Sequence, residues 1–282
     1  MAEYGFAPAF LNTNPELKKL VATATAGGWE LDKFLDTLKT TKWWKSRSDA
    51  QKRYDVAVAE NPGQVVGDVQ TAARTISRML VTMGMNLSMR TVTDLARQAV
   101  RNGLSEAELR YLVGTKYHHG GTTGMIGKTR AELTEMAKQY GISATVAQQN
   151  NQIETVLQGV RTTADYETYY RDAAKMHFKA IASQLDAGFT TREILDPYIQ
   201  MAAQELGVNP NTIDISQAKW NAPITYRGER PVSATEPRTM TFDEWTKQMR
   251  TDTQYGWDKT QNAQKQAATL STQIMETFGA MG

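Results

Sequence analysis

The chain has 282 residues, a formal net charge of +2 and no cysteine. Because the net charge is close to zero, the composition excludes a protein whose whole surface attracts nucleic acid or anionic lipid. The lack of cysteine excludes disulfides, thiol nucleophiles and zinc sites built on cysteine. Hydrophobic residues make up 40% and charged residues 22% of the chain, which is typical of a folded protein with one large domain or two ordinary ones.

The first residues, Met1 to Phe6, contain neither a basic region nor a long apolar run. We therefore expect no signal peptide, and synthesis in the cytoplasm without the secretory route. The sequence also has no window of roughly 18 consecutive apolar residues, the length that a membrane span needs. Association with a membrane is accordingly not expected.

The periodicity of apolar residues predicts an all-α, multi-helix protein with a body of helical hairpins. Asn14-Pro15-Glu16 is a helix start signal, since it combines a capping side chain, a proline at the first helical position and an acid in the first turn. Gly27-Gly28 ends this helix, and Trp29 to Thr40 forms the next. One face of that second helix carries Leu31, Phe34, Leu35 and Leu38.

The most regular helix follows Asn61-Pro62-Gly63, where the preceding helix, capped by Ser48-Asp49, ends. Its apolar residues alternate spacings of three and four and are Val66, Val69, Ala73, Ile76, Leu80 and Met83. This heptad-like seam is typical of a core helix in a bundle. A coiled-coil contact with another subunit is the alternative interpretation.

Short helices with capping signals fill the centre of the chain. Ser88, Ser105 and Thr162-Thr163 are predicted caps. These capping signals fit either a divergent duplication of helical hairpins or a simple run of short helices. One helix is predicted from about Tyr166 to Leu185, and Asp196-Pro197 is predicted to restart another, because proline suits the first helical position better than an interior one.

Residues 209–240 break the helical pattern with four prolines and few periodic apolar positions, so they are predicted to form a long irregular arm. A capping box at Thr241 to Glu244 then restarts the helical pattern. A final helix is predicted from about Trp257 to Phe278. The resulting segments are an N-terminal helical anchor module (1–61), a central helical body (62–208), the arm (209–240) and a C-terminal helical segment (241–282).

Two aromatic clusters bracket the chain, and tryptophan is costly to leave in water and specific in how it packs. These side chains are predicted to anchor helices to a core or to another subunit: Phe34, Trp43, Trp44, Trp245, Tyr255 and Trp257.

Around the first cluster, residues 39–53 contain six basic residues and a single acid, Asp49. Basic residues interleaved with aromatic rings suit nucleic acid, through charge and stacking, and they also suit a membrane interface. The favoured interpretation is that the tryptophans anchor a core or a subunit contact while the lysines stay hydrated. The candidate nucleic-acid contacts are Lys42, Lys45, Arg47, Lys52 and Arg53.

The glycine-rich segment from Gly120 to Thr129 resembles a phosphate-binding loop only superficially. The motif requires a glycine five residues before Gly127, where this chain has Thr122. No predicted strand precedes the segment, so a glycine-rich connector capped by Thr129 is the expected structure. Nucleotide binding is therefore not expected, and no cofactor is predicted.

The sequence contains no clear pattern of metal ligands or of catalytic residues. His118 and His119 are adjacent, so their side chains point in different directions on most backbones, and His177 lies about sixty residues away. Candidate acids for a sugar-cleaving enzyme are Glu60, Glu132 and Glu154, but none lies in a distinctive sequence context. We predict no metal site, and we predict that the protein is not an enzyme.

Several segments nevertheless resemble a module of virion proteins from tailed bacteriophages that infect Actinobacteria. The resemblance spans most of the chain. Its motifs are Phe10-Leu11, Asn14 to Leu20, Gly28-Trp29, Phe34, Leu38 to Trp44, Ala137 to Ser143, Asp196-Pro197-Tyr198, Phe242 to Trp245, Arg250, Trp257 to Ala263 and Phe278-Gly279.

These motifs are structural and not catalytic. The resemblance implies a minor tail or other structural virion protein, made in the host cytoplasm and assembled in several copies with other virion proteins. An internal virion protein that is ejected with the genome, contacting DNA or the cell envelope, is the first alternative. A virion-associated muramidase is the second.

Overall fold

In a computed structural model, residues 6–117, 121–226 and 238–279 are described, with side chains described to residue 276. Every regular element in these ranges is helical, which confirms the predicted all-α, multi-helix class. The α-helices are α1 (Pro8–Thr13), α2 (Pro15–Ala26), α3 (Leu31–Thr40), α4 (Lys42–Lys45), α5 (Asp49–Glu60), α6 (Pro62–Met83), α7 (Met89–Asn102), α8 (Glu106–Gly114), α9 (Gly124–Tyr140), α10 (Val146–Leu157), α11 (Thr163–His177), α12 (Ala182–Asp186), α13 (Thr191–Leu206), α14 (Ala218–Thr225), α15 (Phe242–Thr251) and α16 (Gln261–Gly279).

The chain divides into two compact units. The first contains residues 1–129 and 150–161, and the second contains residues 130–149 and 162–282. The segment boundaries predicted from composition, at residues 61, 208 and 240, all fall inside these units. Helices end or begin close to those positions, and the end of a helix is not by itself the end of a packed core.

In the first unit, the most extensive helix pair is α6 with α7. The C-terminal half of the α6 seam is buried, through Ile76, Leu80 and Met83. In the N-terminal half, Val66 is 56% exposed, whereas Val69 and Ala73 are half-buried. The seam is therefore fully buried along its second half only.

The glycine-rich segment after residue 120 is not the connector that was predicted, because α9 already begins at Gly124. Thr129 lies inside that helix, where it is buried, and does not cap it. A Cβ atom on Gly124 would lie 2.6 Å from the Gly84 nitrogen and 2.8 Å from the Thr82 carbonyl oxygen. Glycine is needed here because two backbones approach closely at the end of α6.

In the second unit, α13 supplies a buried face that includes Leu195, Ile199 and Ala202. The predicted helix restart at Asp196-Pro197 is wrong, since α13 continues through both residues. It begins earlier, at a capping box in which Thr190 accepts from the Glu193 N–H and Glu193 accepts from the Thr190 N–H. Pro197 lies on the exposed side of α13, where water can solvate the carbonyl that loses its helical partner.

The predicted helix from Tyr166 to Leu185 is interrupted. α11 ends at His177, because Phe178 leaves helical geometry, and a 3-10 turn at Lys179–Ile181 precedes α12. Phe178 is fully buried. Burial of this ring therefore outweighs the helical periodicity of the flanking residues.

The predicted irregular arm is also corrected in part. Pro210–Thr212 forms a 3-10 turn and Ala218–Thr225 forms α14. Ile213 and Ile215 are buried, and the buried Asn221 side chain donates to the Ile215 carbonyl at 3.1 Å. Residues 227–237 of the arm lie outside the described residues.

The chain between α15 and α16 also differs from the prediction. Trp257–Lys259 forms a 3-10 turn, so the last α-helix begins only at Gln261. Across the described residues, no helix is both long enough and apolar enough to cross a membrane.

Candidate interaction sites

The first aromatic cluster lies in a small core formed by the N-terminal helices. Phe34 and Trp43 are 1% and 3% exposed, so both pack inside the molecule. Their neighbours are aromatic as well: the Trp43 ring lies 5.6 Å from Phe10 and 6.4 Å from Phe6, in edge-to-face arrangements. The rest of this core consists of Leu11, Leu17, Val21, Ala24 and Leu38.

A single acid positions the tryptophan pair. The Glu16 carboxylate accepts hydrogen bonds from the backbone N–H groups of Lys42 and Trp43, at 2.8 and 3.1 Å. The Thr41 hydroxyl accepts from the Trp44 N–H at 3.2 Å. Because the first N–H groups of a helix have no partner within it, these three bonds allow the single turn of α4 to form and direct Trp43 into the core.

Only half of the predicted apolar face of α3 is buried. Phe34 and Leu38 are buried, whereas Leu31 is 55% exposed and Leu35 is exposed as well. The apolar side chains at the start of α3 therefore remain at the surface.

The basic residues near the tryptophans divide into two groups. Lys52 lies 3.8 Å from the centre of the Trp44 ring and pairs with Asp49, while Arg47 pairs with Asp55. Charges held in this way are partly neutralised by the chain itself.

The second group consists of Lys42, Lys45 and Arg53, whose side chains are exposed. An open depression of about 530 Å³ lies beside the cluster, and Trp44, Lys52 and Arg53 contribute to its lining. Of the five predicted nucleic-acid contacts, three are thus placed where they can reach a partner.

The second aromatic cluster is built around α15. Trp245 is 1% exposed and its indole N–H donates to the Tyr198 carbonyl at 3.0 Å. The Tyr198 hydroxyl in turn donates to the Met240 carbonyl at 2.6 Å. The polar edge of the buried ring is thus satisfied, and α15 is fastened to α13.

Tyr255 and Trp257 lie at the edge of this core and are half-buried. The Tyr255 ring stacks edge-to-face with Trp245 at 5.4 Å, and its hydroxyl donates to the Lys219 carbonyl at 2.7 Å. Burial raises the pKa of Tyr255 to about 12, with a smaller contribution from the nearby charge of Asp252. This tyrosine therefore links α14 and α15 in its protonated form.

Trp257 is covered by a charged pair. Arg250 stacks over its ring at 5.4 Å and makes three hydrogen bonds, of 2.9 to 3.0 Å, to the Glu205 carboxylate. A second contact with the end of α13 is made by Asn262, whose side-chain amide donates to the backbone carbonyls of Gln204 and Glu205. These bonds fix the start of α16 against the end of α13.

Beyond Ala263, the side chains of α16 are no longer buried against the rest of the described chain. Ala263 is buried, but every residue from Gln264 to Glu276 is exposed. The exposed residues include Leu270 at 50%, Ile274 at 54% and Met275 at 64%.

The first unit has a second apolar surface, which we call the valine groove. It lies between α5 and α6, has a volume of about 380 Å³, and is lined by Val58, Val65, Val66 and Val69 among others. Val58 and Val66 are 43% and 56% exposed.

The candidate catalytic acids have local structural roles, and Glu60 also lines the open depression beside the first aromatic cluster. Glu60 accepts from the Ala7 N–H, and Glu154 accepts from the Gln158 side chain. Glu132 is half-buried within α9, and His177 is exposed as the last residue of α11. His118 and His119 lie outside the described residues, and among those that are described no group of three acidic or histidine side chains can hold a metal ion.

Sequence reasoning missed three side chains that shape these sites, namely Glu16, Tyr198 and Arg192. The Arg192 guanidinium donates to the carbonyls of Pro210 and Ile213, both at 2.9 Å, and so orders the segment predicted as an arm. An acid after a proline signals only a helix start. The partners of these side chains lie 18 to 42 residues away along the chain, a separation that the sequence pattern does not reveal.

The fold and these sites define an all-α protein of two helical units, each with a tryptophan buried in its core and each with exposed apolar side chains on a helix. Comparison with protein-family models, with curated proteins and with solved structures finds no match.

Proposed function

We propose that this chain is a structural protein of a tailed-bacteriophage virion, a tail, tail-tip or connector-region component that assembles in multiple copies. The proposal starts from the sequence motifs that resemble such proteins. Several of these motif residues have packing roles in the structure. Glu16 caps α4, Trp43 and Trp245 fill the two cores, and Asn262 fastens α16.

The observation that carries the proposal is the presence of exposed apolar side chains at two places, on α16 and at the valine groove. Leu270, Ile274 and Met275 are exposed on α16, and Val58 and Val66 are exposed at the valine groove. Contiguous apolar side chains at a surface mark contacts with other macromolecules. A protein that assembles in several copies with other proteins needs such surfaces, and no chemistry is required of it.

The alternative of an internal protein ejected with the genome rests on the exposed cations Lys42, Lys45 and Arg53. Two further basic residues, Arg47 and Lys52, pair with acids of the same chain. With the net charge of +2, the remaining cations make a small contact area for nucleic acid. We therefore favour the static structural role.

The test is to count copies of this protein per particle by quantitative mass spectrometry, in intact virions and in virions that have ejected their DNA. We expect the same copy number in both, because a tail or connector component stays in the particle. A loss after ejection would contradict the static role and support the ejected one. Absence from purified intact particles would refute the virion proposal altogether.

The muramidase alternative has a separate test, a peptidoglycan zymogram with the purified chain. We expect no clearing. Clearing that is lost in Glu60→Gln, Glu132→Gln or Glu154→Gln would show an enzyme and overturn the purely structural role.

A further inference from the structure

The exposed part of α16 lacks the support that the other long helices have. From Gln264 to Glu276 every residue is exposed, and the most extensive contacts of the helix are with the 3-10 turn that precedes it. Isolated helices of about 12–15 residues are marginal in water, even when the sequence favours helix. A partner that packs against α16 would supply the missing stabilisation.

The apolar residues of α16 follow a heptad. Ala263, Ala267, Leu270 and Ile274 are separated by four, three and four residues, so they lie along one seam as positions d, a, d and a. Met275 falls beside this seam, at position b. Over this short stretch the seam is as narrow as that of a coiled-coil strand, whereas most core-facing helices carry a broader apolar face.

The polar residues of α16 favour a second copy of the same helix as the partner. In a parallel, in-register pair, identical positions meet, so a charge beside the seam would face a like charge. The only charged residues of α16 are Lys265 and Glu276, and both fall on the outer positions f and c. The positions that flank the seam carry uncharged Gln264, Gln266, Ser271 and Gln273.

We propose that α16 pairs with α16 of a second copy as a parallel two-stranded coiled coil through Ala267, Leu270 and Ile274. Ala263, at the start of the seam, is already buried in the chain's own fold. An isoleucine at position a combined with a leucine at position d favours two strands over three or four. This inference stands on α16 alone and does not depend on the virion role, since it concerns the purified chain.

Sedimentation velocity of the purified full chain over a series of concentrations tests the proposal. We expect a concentration-dependent dimer, and we expect Leu270→Gln with Ile274→Gln to weaken it about tenfold or more. Both side chains are exposed, so the double variant keeps its folded units, which the fluorescence of the buried tryptophans checks. A chain that stays monomeric at every concentration would overturn the proposal.

Matched changes on the same helix serve as controls. Thr269→Gln with Thr272→Gln alters positions c and f, and Met275→Gln alters position b, so each should leave the dimer unchanged. If Met275→Gln weakens association as much as the seam variant does, the contact is a broad apolar face and the proposed coiled coil is wrong.

Cross-linking determines the strand direction, because the chain has no cysteine of its own. Ile274→Cys should form an intermolecular disulfide on mild oxidation, since identical a positions meet in a parallel pair, whereas Thr272→Cys should not. Failure of Ile274→Cys to cross-link would exclude the parallel register. Binding of the monomer to neutral phosphatidylcholine vesicles, lost in the seam variant, would replace the second copy with a lipid surface.

Discussion

Glu16 illustrates how one side chain controls a local structure far from it in sequence. Its carboxylate satisfies two backbone donors of α4, 26 and 27 residues away. Without such acceptors, a helix of four residues has almost no hydrogen bonds of its own to stabilise it. The burial of Trp43 therefore depends on an acid that, from its position, is expected only to favour the start of α2.

A second acid, Glu244, connects stability to pH. Its hydrogen bond with Arg238 is the main cause, followed by one from the Thr241 N–H, and together they lower the pKa of Glu244 from 4.5 to about 2. A carboxyl whose pKa is lower in the folded protein stabilises it at pH values above the unfolded pKa. That contribution is lost as the pH falls from about 4.5 to about 2.

We therefore expect Glu244→Gln to have a lower free energy of unfolding than the native chain at neutral pH, and the difference should shrink as the pH approaches 2. Glutamine keeps an acceptor for the capping box at Thr241 but loses the charge opposite Arg238. Urea denaturation at a series of pH values measures both proteins. Asp243→Asn, a change at the adjacent exposed acid, is the control and should show a smaller effect. A difference that stays constant with pH would contradict this assignment.

At the scale of elements, the close contact between the end of α6 and the start of α9 leaves no room for a side chain at Gly124. Gly124 has a φ of +57°, in a region that side-chain-bearing residues rarely adopt. Its α-carbon also faces the backbone of Thr82 and Gly84. Backbone atoms cannot move aside as the end of a flexible side chain can, so two long helices depend on this residue being glycine.

We predict that Gly124→Ala destabilises the chain by about 2 kcal/mol or more, from the positive φ and the clash together. Gly67→Ala is the matched control. Gly67 lies within α6, and a Cβ there would have no atom within 4 Å, so this change should be neutral or stabilise by up to about 1 kcal/mol. Thermal or urea unfolding of the three proteins provides the comparison. Equal effects of the two substitutions would show that the close approach is relaxed in solution.

At the scale of the whole molecule, each unit has its own buried tryptophan. Trp43 contacts Phe6 and Phe10 in the first unit, whereas Trp245 contacts Tyr255 and bonds to Tyr198 in the second. Proteins open in cooperative parts that often coincide with such packed groups.

We expect Trp43→Ala to cost about 3–5 kcal/mol and to accelerate amide hydrogen exchange in α2 and α3. Trp245→Ala should have the reciprocal effect, with faster exchange in α13 and α15. Hydrogen exchange followed by mass spectrometry, with peptides from both units, measures this. If either substitution accelerates exchange equally in all four helices, the two cores open as one cooperative structure.

Much of the local structure follows from the sequence. The capping boxes at Ser105, Thr162 and Thr241 begin helices where predicted, because each box satisfies N–H groups only a few residues away. The predicted break at Pro197 was wrong. Pro197 lies on the exposed side of α13, where water can solvate the carbonyl that lacks a helical hydrogen bond, so the helix continues through it. The predicted arm failed in the described part because Arg192 and buried isoleucines order it from a distance.

The sequence by itself determined the all-α class, most helix starts and the two aromatic clusters, since periodicity and capping depend on neighbours within a few residues. Only the tertiary structure decided which aromatic rings are buried and which apolar side chains remain exposed. Phe34, Trp43 and Trp245 are core residues, whereas Leu270 and Ile274 have the same apolar character and lie exposed. Burial depends on what packs against a helix face, and the helix's own residues do not specify that partner.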